Sequence, residues 1–129
     1  MDAYELYLLG RHRWGQRSDP EALRGAVDYF QRAVEADPEF ALAYSGLADA
    51  WVLTPLYERT ADRLSSFARA REAARRALEL SPTEPEVLAT AGWVAYLADW
   101  DADRAGELLD RAVRLGPSYV WGVQWRSML

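Results

Sequence analysis

Apolar residues recur at helical spacing through most of the chain. The clearest case is the stretch from residue 23 to residue 34, where apolar side chains are separated by three, four and seven positions. Such spacing places them on one face of an α-helix. No run of five or more residues keeps the strict alternation of a half-buried strand, so the pattern predicts an all-α protein.

Three prolines divide this helical pattern into units of one design. Pro38, Pro82 and Pro117 lie 44 and 35 residues apart. A small residue stands twelve and five positions before each of them, in the pairs Ala26 and Ala33, Ala70 and Ala77, and Ala105 and Ala112. Proline lacks the amide that would continue a helix, and it disfavours helical geometry in the residue before it. The repetition predicts three helix pairs, with the second alanine of each pair at a close helix crossing.

The helix boundaries follow from the same pattern and from capping signals. The predicted helices span 3–15 and 20–36, 39–53 and 60–80, 84–98 and 102–115, with a last helix from 118. Thr60 and Asp101 are predicted N-caps. Ser18 with Glu21, and the similar motif at 83–86, are predicted capping boxes. The long connection over 54–63 is expected to extend the second helix of its pair or to splay the pair.

A helix signature accompanies the repetition. Tyr44, Leu47, Ala48 and Trp51 follow the order aromatic, leucine, small, aromatic, and the strings around Leu88 to Gly92 and Leu6 to Gly10 match it in part. On these residues the chain resembles the tetratricopeptide-repeat (TPR) family over almost its whole length. The resemblance implies an all-α, right-handed superhelix of about three helix-turn-helix hairpins plus a terminal helix. It would form a single domain over 1–129, with repeats at about 3–38, 39–82 and 83–117 and a terminal helix at 118–129, as a fragment of a larger protein.

A narrower resemblance concerns the strings at 3–11, 26–34, 37–49 and 99–101. They are similar to the TPR arrays of bacterial transcriptional regulators, adenylate cyclases and Ser/Thr kinases. The sequence holds no cyclase, kinase or winged-helix motif, so none of those activities is carried over to a residue of this chain.

Charge and residue usage exclude several classes of function. The chain has 20 acidic and 15 basic residues, a net charge of −5, and all its bases are arginines scattered at helical intervals. Nucleic-acid binding needs a concentrated basic face, so it is not expected here. Without cysteine there is no thiolate catalysis and no thiolate metal site. The only histidine, His12, has no nucleophile to assist, so we expect no enzyme activity and no cofactor.

The alternating aspartates near residue 100 could indicate a metal site. Asp99, Asp101 and Asp103 alternate like the start of a calcium loop, but Arg104 replaces the glycine that such a loop requires. Asp101 is better explained as a helix cap, and no metal is expected.

The longest uncharged stretch in this region, 87–98, has 12 residues, well short of the roughly 20 that span a bilayer. With an acidic N-terminus and no export signal, a cytoplasmic location without membrane contact is expected.

The resemblance also implies a binding surface. In the TPR family the first helix of each hairpin lines a concave groove, and by that register the groove holds Tyr4, Tyr7, Arg11, Trp14, Ser45, Asp49, Val52, Trp93 and Tyr96. The alternative is that these side chains pack between the repeats. Because the sequence has no lysine and no asparagine, the carboxylate clamp of the chaperone-binding relatives is not expected. Asp49 is expected to select against acidic ligands.

These features favour a module for protein–protein interaction that binds a protein or peptide partner. It would serve as a regulatory or scaffolding segment of a bacterial signalling or transcription protein. Two alternatives remain open, namely a small-ligand sensor coupled to an attached effector domain and a structural oligomerisation module.

The end of the chain predicts self-association. The run 118–129 has one charge and apolar residues on more than one helical face, including Val120, Trp121, Val123 and Trp125. The end of a solenoid normally presents a polar face to water, so we expect a two-fold dimer through these four residues. The alternative is that the last helix folds back on the third repeat and leaves a monomer.

Overall fold

A computed structural model of the protein describes residues 1–58 and 61–116. This part of the chain forms six α-helices: α1 (Ala3–Trp14), α2 (Pro20–Ala36), α3 (Ala41–Tyr57), α4 (Arg63–Leu80), α5 (Pro85–Asp99) and α6 (Ala102–Leu115). No strand occurs within these two ranges, and the all-α prediction is confirmed. The predicted terminal helix and the predicted dimer contacts fall after residue 116, outside the described residues.

The helices form three hairpins that stack in chain order. The helices of each hairpin pack against each other, and α2 packs against α3 and α4 against α5, joining neighbouring hairpins. The first helices also meet, α1 with α3 and α3 with α5. Each hairpin therefore buries its apolar face partly against its partner helix and partly against the next hairpin, as a repeat that cannot form a core alone must do.

Aspartates cap four of the helices. Asp19 accepts a hydrogen bond from the backbone N–H of Glu21 at the start of α2, Asp62 caps α4 and Asp101 caps α6. Asp2 does the same for α1. The cap at Asp101 is confirmed. The two predicted capping boxes are wrong, because Asp19 caps α2 and no side chain caps α5. Thr60 lies outside the described residues.

The second hairpin differs from its sequence-based prediction. The extra residues lengthen its first helix, since α3 continues through Pro55 to Tyr57, while α4 begins only at Arg63. Leu53 and Thr54 are still buried at this end, and the Thr54 hydroxyl donates to the carbonyl of Ala50 at 2.8 Å. Continued burial of the side chains explains why the helix runs past the proline, whose cost is a lost backbone hydrogen bond.

The first two hairpins meet around one aromatic ring. Phe30 of α2 is fully buried, and Gly10 of α1 and Gly46 of α3 lie against it. A Cβ atom would come within 2.6 Å of the ring at Gly10 and within 2.5 Å at Gly46. Only glycine lets both helices approach this closely. Ala33, Ala77 and Ala112 likewise have no exposed surface, in agreement with the predicted close crossings.

The turn from α5 to α6 is made by Trp100. Its backbone is left-handed, with φ of 54°, and its side chain is 85% exposed. A left-handed residue commonly ends a helix, although glycine is the usual choice. Across the two described ranges, no helix combines the length and the apolar character needed to cross a membrane.

We expect Gly46→Ala to lower the free energy of unfolding by about 1–3 kcal/mol, because the added methyl group overlaps Phe30 in a closely packed core. The matched control is Gly106→Ala in α6, where a Cβ would meet no atom within 4 Å. There the better helix propensity of alanine should raise stability by about 1 kcal/mol. Urea denaturation of both variants measures the difference, and a Gly46→Ala variant as stable as Gly106→Ala would contradict the packing around Phe30.

Candidate functional site

One arginine joins the first helices of all three hairpins. Arg11 of α1 donates from Nη1 to Oδ2 of Asp49 on α3 at 2.8 Å, and from Nη2 to Oε1 of Glu86 on α5 at 2.9 Å. Its Nε also donates to the hydroxyl of Tyr7 at 3.3 Å, and that hydroxyl donates to Oε1 of Glu86 at 3.2 Å. We call these four residues the Arg11 network. It connects residues up to 79 positions apart in the sequence.

Helix geometry explains how the network is assembled. Tyr7 and Arg11 are four residues apart on α1 and therefore lie on the same face of that helix. The guanidinium is a planar fork with five N–H donors, so one side chain can reach carboxylates on two other helices at once. Charge-assisted hydrogen bonds of this kind are short and about twice as strong as neutral ones.

The network is largely removed from water. The Asp49 side chain is 8% exposed, whereas those of Arg11 and Glu86 are 22% and 25% exposed. Burial raises the pKa of the Asp49 carboxyl above its ordinary value, although Arg11 and a hydrogen bond from Thr90 act in the opposite direction. Burial also raises the pKa of Tyr7. Burial tends to lower the pKa of Arg11, but the attraction of Asp49, Tyr7 and Glu86 outweighs it and the pKa is raised.

Aromatic rings surround the guanidinium. The central carbon of the Arg11 guanidinium lies 5.5 Å from the ring centroids of Tyr7 and Phe30 and 5.7 Å from that of Trp14. Each distance is within the range of a cation–π interaction. The arginine is therefore held by oxygen atoms at its nitrogens and by rings at its faces, and its side chain is fixed in place.

The structure brings some of the predicted groove residues together. Tyr7, Arg11 and Asp49 meet in the network, and Trp14 lies beside it. Farther along α5, the rings of Trp93 and Tyr96 stack with centroids 6.1 Å apart and an interplanar angle of 27°.

Exposure differs strongly among the same predicted residues. Tyr4 is 60% exposed and Tyr96 is half-buried, whereas Tyr7, Trp14, Asp49 and Trp93 are buried. The placement of Ser45 and Val52 on an open surface is corrected, because neither has any exposed area. The hydroxyl oxygen of Ser45 lies 2.6 Å from that of Thr90 on α5, so this residue packs between repeats, as the alternative interpretation holds.

Sequence reasoning missed Glu86 as a member of the site. Its position in the first turn of α5 suggested a capping box, whereas its carboxylate binds Arg11. The missed signal was an arginine on the inner face of α1, since a guanidinium that is partly buried needs carboxylate partners. Because Arg11 is already bound by two carboxylates and a phenol, it is not available to clamp the terminal carboxylate of a peptide.

The aspartates near residue 100 have structural roles. Asp99 accepts from Nε of Arg71 at 2.6 Å, and Asp101 caps α6. In the part of the chain that the structure describes, no group of three or more acidic or histidine side chains is arranged to hold a metal ion.

Solved structures of similar shape are known. The first TPR domain of human RPAP3 superposes with a TM-score of 0.72 at 18% identity, covering 98% of this chain and 87% of that one. The first TPR of Spaghetti (RPAP3), bound to the HSP90 peptide SRMEEVD, gives 0.70 at 18% identity, with 98% and 89% covered. YrrB, a TPR protein with an unusual peptide-binding site, gives 0.67 at 19% identity, and the match spans 98% of this chain and 58% of YrrB. No protein-family model and no curated protein sequence matches the chain.

We expect Arg11→Met to lower the free energy of unfolding by about 3 kcal/mol at pH 7, because Asp49 would then be buried without its cation. Removing Arg11 also removes the charge that lowers the pKa of Asp49, so that pKa rises further. An acid whose pKa is higher in the folded state gains stability as the pH falls through that pKa and loses it as the pH rises. The deficit of the variant should therefore shrink between pH 7 and about pH 5.

Urea denaturation across this pH range tests the expectation. The matched control is Arg32→Met, which removes an exposed ion pair with Asp28 on the same helix and should cost less than about 1 kcal/mol with no such recovery. A deficit for Arg11→Met that is small and independent of pH would show that the network contributes little.

Proposed function

Since the protein has the tetratricopeptide-repeat fold, we propose that it is a protein–protein interaction module whose inner surface binds a peptide segment of a partner. We define the inner surface as the side lined by α1, α3 and α5. The observation that carries the proposal is the Arg11 network, which fixes these three helices relative to one another. A preorganised surface loses less entropy on binding. Among the similar structures, one is bound to an HSP90 peptide and another has a peptide-binding site.

Tyrosines supply the proposed anchors on this surface. Tyr4 is 60% exposed, and Tyr96 is half-buried with its ring stacked on Trp93. A tyrosine offers both apolar area and a hydrogen-bonding hydroxyl at low entropic cost, which is why such residues dominate binding energy at interfaces. Asp49 and Glu86 outnumber Arg11, so the network carries a net negative charge. This charge should select against acidic segments at that point.

The wider role that we propose is regulatory or scaffolding, within a cytoplasmic bacterial signalling or transcription protein. It is supported by the strings at 3–11, 26–34, 37–49 and 99–101, which resemble the arrays of such proteins. In this role the module has no enzyme activity, and its partner is a protein rather than a nucleic acid or a membrane. A small-ligand sensor is the second candidate, and binding of a metabolite instead of a peptide would distinguish it.

The binding proposal is tested by selecting ligands for the full chain from a displayed peptide library. The variant with Tyr4→Ala and Tyr96→Ala should weaken the selected peptides at least about tenfold, because it removes two interface anchors. Tyr29→Ala is the control, because it truncates a half-buried tyrosine on α2, which does not line the inner surface. It should leave peptide affinity unchanged. Peptides that bind the double variant as tightly as the native chain would place the binding face elsewhere.

We further propose a two-fold dimer formed through Val120, Trp121, Val123 and Trp125. The proposal is supported by the apolar character of the run 118–129, since exposed apolar patches favour association. Analytical ultracentrifugation at tens of micromolar (roughly the range for weak association) should give a dimer, and Trp121→Glu with Trp125→Glu should convert it to a monomer. A monomeric native chain would reject this interface.

A further inference from the structure

A cleft separates two helices on the side opposite the inner surface. The helices α2 and α4 do not pack against each other, and the space between them has a volume of about 920 Å³. Its floor is formed by α3, whose Tyr44, Leu47 and Trp51 line it, and Val34 of α2 and Ala73 of α4 complete an apolar base. We call this space the outer cleft.

Two arginines of α4 lie over aromatic rings in the outer cleft. The guanidinium of Arg69 is 5.1 Å from the ring centroid of Trp51, and that of Arg76 is 5.9 Å from the centroid of Tyr44. The arginines are seven residues apart on α4 and the rings seven apart on α3. Both pairs are therefore separated by two helical turns, or about 10 Å. Both distances are within the range of a cation–π interaction.

The carboxylates along the outer cleft already accept hydrogen bonds from other side chains. Arg75 binds Glu72 and Glu79, and Glu35 accepts from the amide of Gln31 at 3.2 Å. Within the two described ranges, by contrast, Arg69 and Arg76 have ring contacts but no hydrogen bond or ion pair with a protein group. The N–H donors of each guanidinium are therefore available to an external acceptor.

We propose that the outer cleft binds an acidic peptide segment of a partner protein, with two carboxylates about two helical turns apart, one on each of Arg69 and Arg76. Paired guanidinium–carboxylate hydrogen bonds would supply the polar contacts. Apolar side chains between the two carboxylates would pack on Tyr44, Leu47 and Trp51, as an amphipathic helix packs in a groove. This site is independent of the inner surface, and its charge preference is the opposite one.

The test uses the full chain and a labelled synthetic helical peptide that carries two glutamates seven residues apart with leucines between them. Its twin carries glutamines at the two positions. In fluorescence anisotropy the glutamate peptide should bind at least about tenfold more tightly than its twin. The variant with Arg69→Gln and Arg76→Gln should lose this preference.

Three controls make the outcome decisive. Arg63→Gln removes an exposed arginine from the same helix and should change the affinity less than about twofold, since a remote surface charge contributes little. Tyr4→Ala with Tyr96→Ala should leave the glutamate peptide unaffected, which separates this site from the inner surface. Equal binding of the two peptides, or an equal loss in Arg63→Gln, would overturn the proposal. So would a chain dimer that dissociates only in the double arginine variant, because the cleft would then hold a second copy.

Discussion

The fold depends on how closely its helices can approach. The ring of Phe30 is enclosed by α1 and α3 because Gly10 and Gly46 lack a Cβ, for which the ring leaves no room. Fully buried alanines recur at the same place in each hairpin. Interiors packed to crystal-like density do not tolerate an extra methyl group at such points. The small residues therefore limit the distances between the helices that they join, and contacts between the hairpins depend on those distances.

The Arg11 network is one such consequence. Its three helices come from separate hairpins, and a guanidinium reaches carboxylates on two of them at 2.8 and 2.9 Å only because the hairpins stack at that spacing. Burying these charges is costly, and a buried ion pair is weak support for stability by itself. Its clearer effect is on shape, because a directional hydrogen-bond fork fixes the relative orientation of α1, α3 and α5. A rigid inner surface follows.

The two sides of the solenoid differ in their chemistry. On the inner side, the arginine binds two carboxylates and a phenol, while Tyr4 is exposed and Tyr96 half-buried. On the outer side, Arg69 and Arg76 lie over the rings of Trp51 and Tyr44, and the nearby glutamates accept hydrogen bonds from other groups. The same residue type thus has a structural role on one face and, in our proposal, a binding role on the other. The difference arises from which acids lie within reach.

The local pattern of the sequence determined most of the fold. The apolar periodicity, the proline spacing and the small residues before each proline predict an all-α chain of three hairpins, because each reports on backbone geometry within a few residues. Tertiary structure alone decided that Glu86 binds Arg11 instead of capping α5, that α3 continues past Pro55, and that Ser45 and Val52 are buried. Those outcomes depend on contacts between residues as far as 75 positions apart in the chain. Such contacts depend on how whole hairpins stack, and a short stretch of sequence does not show this.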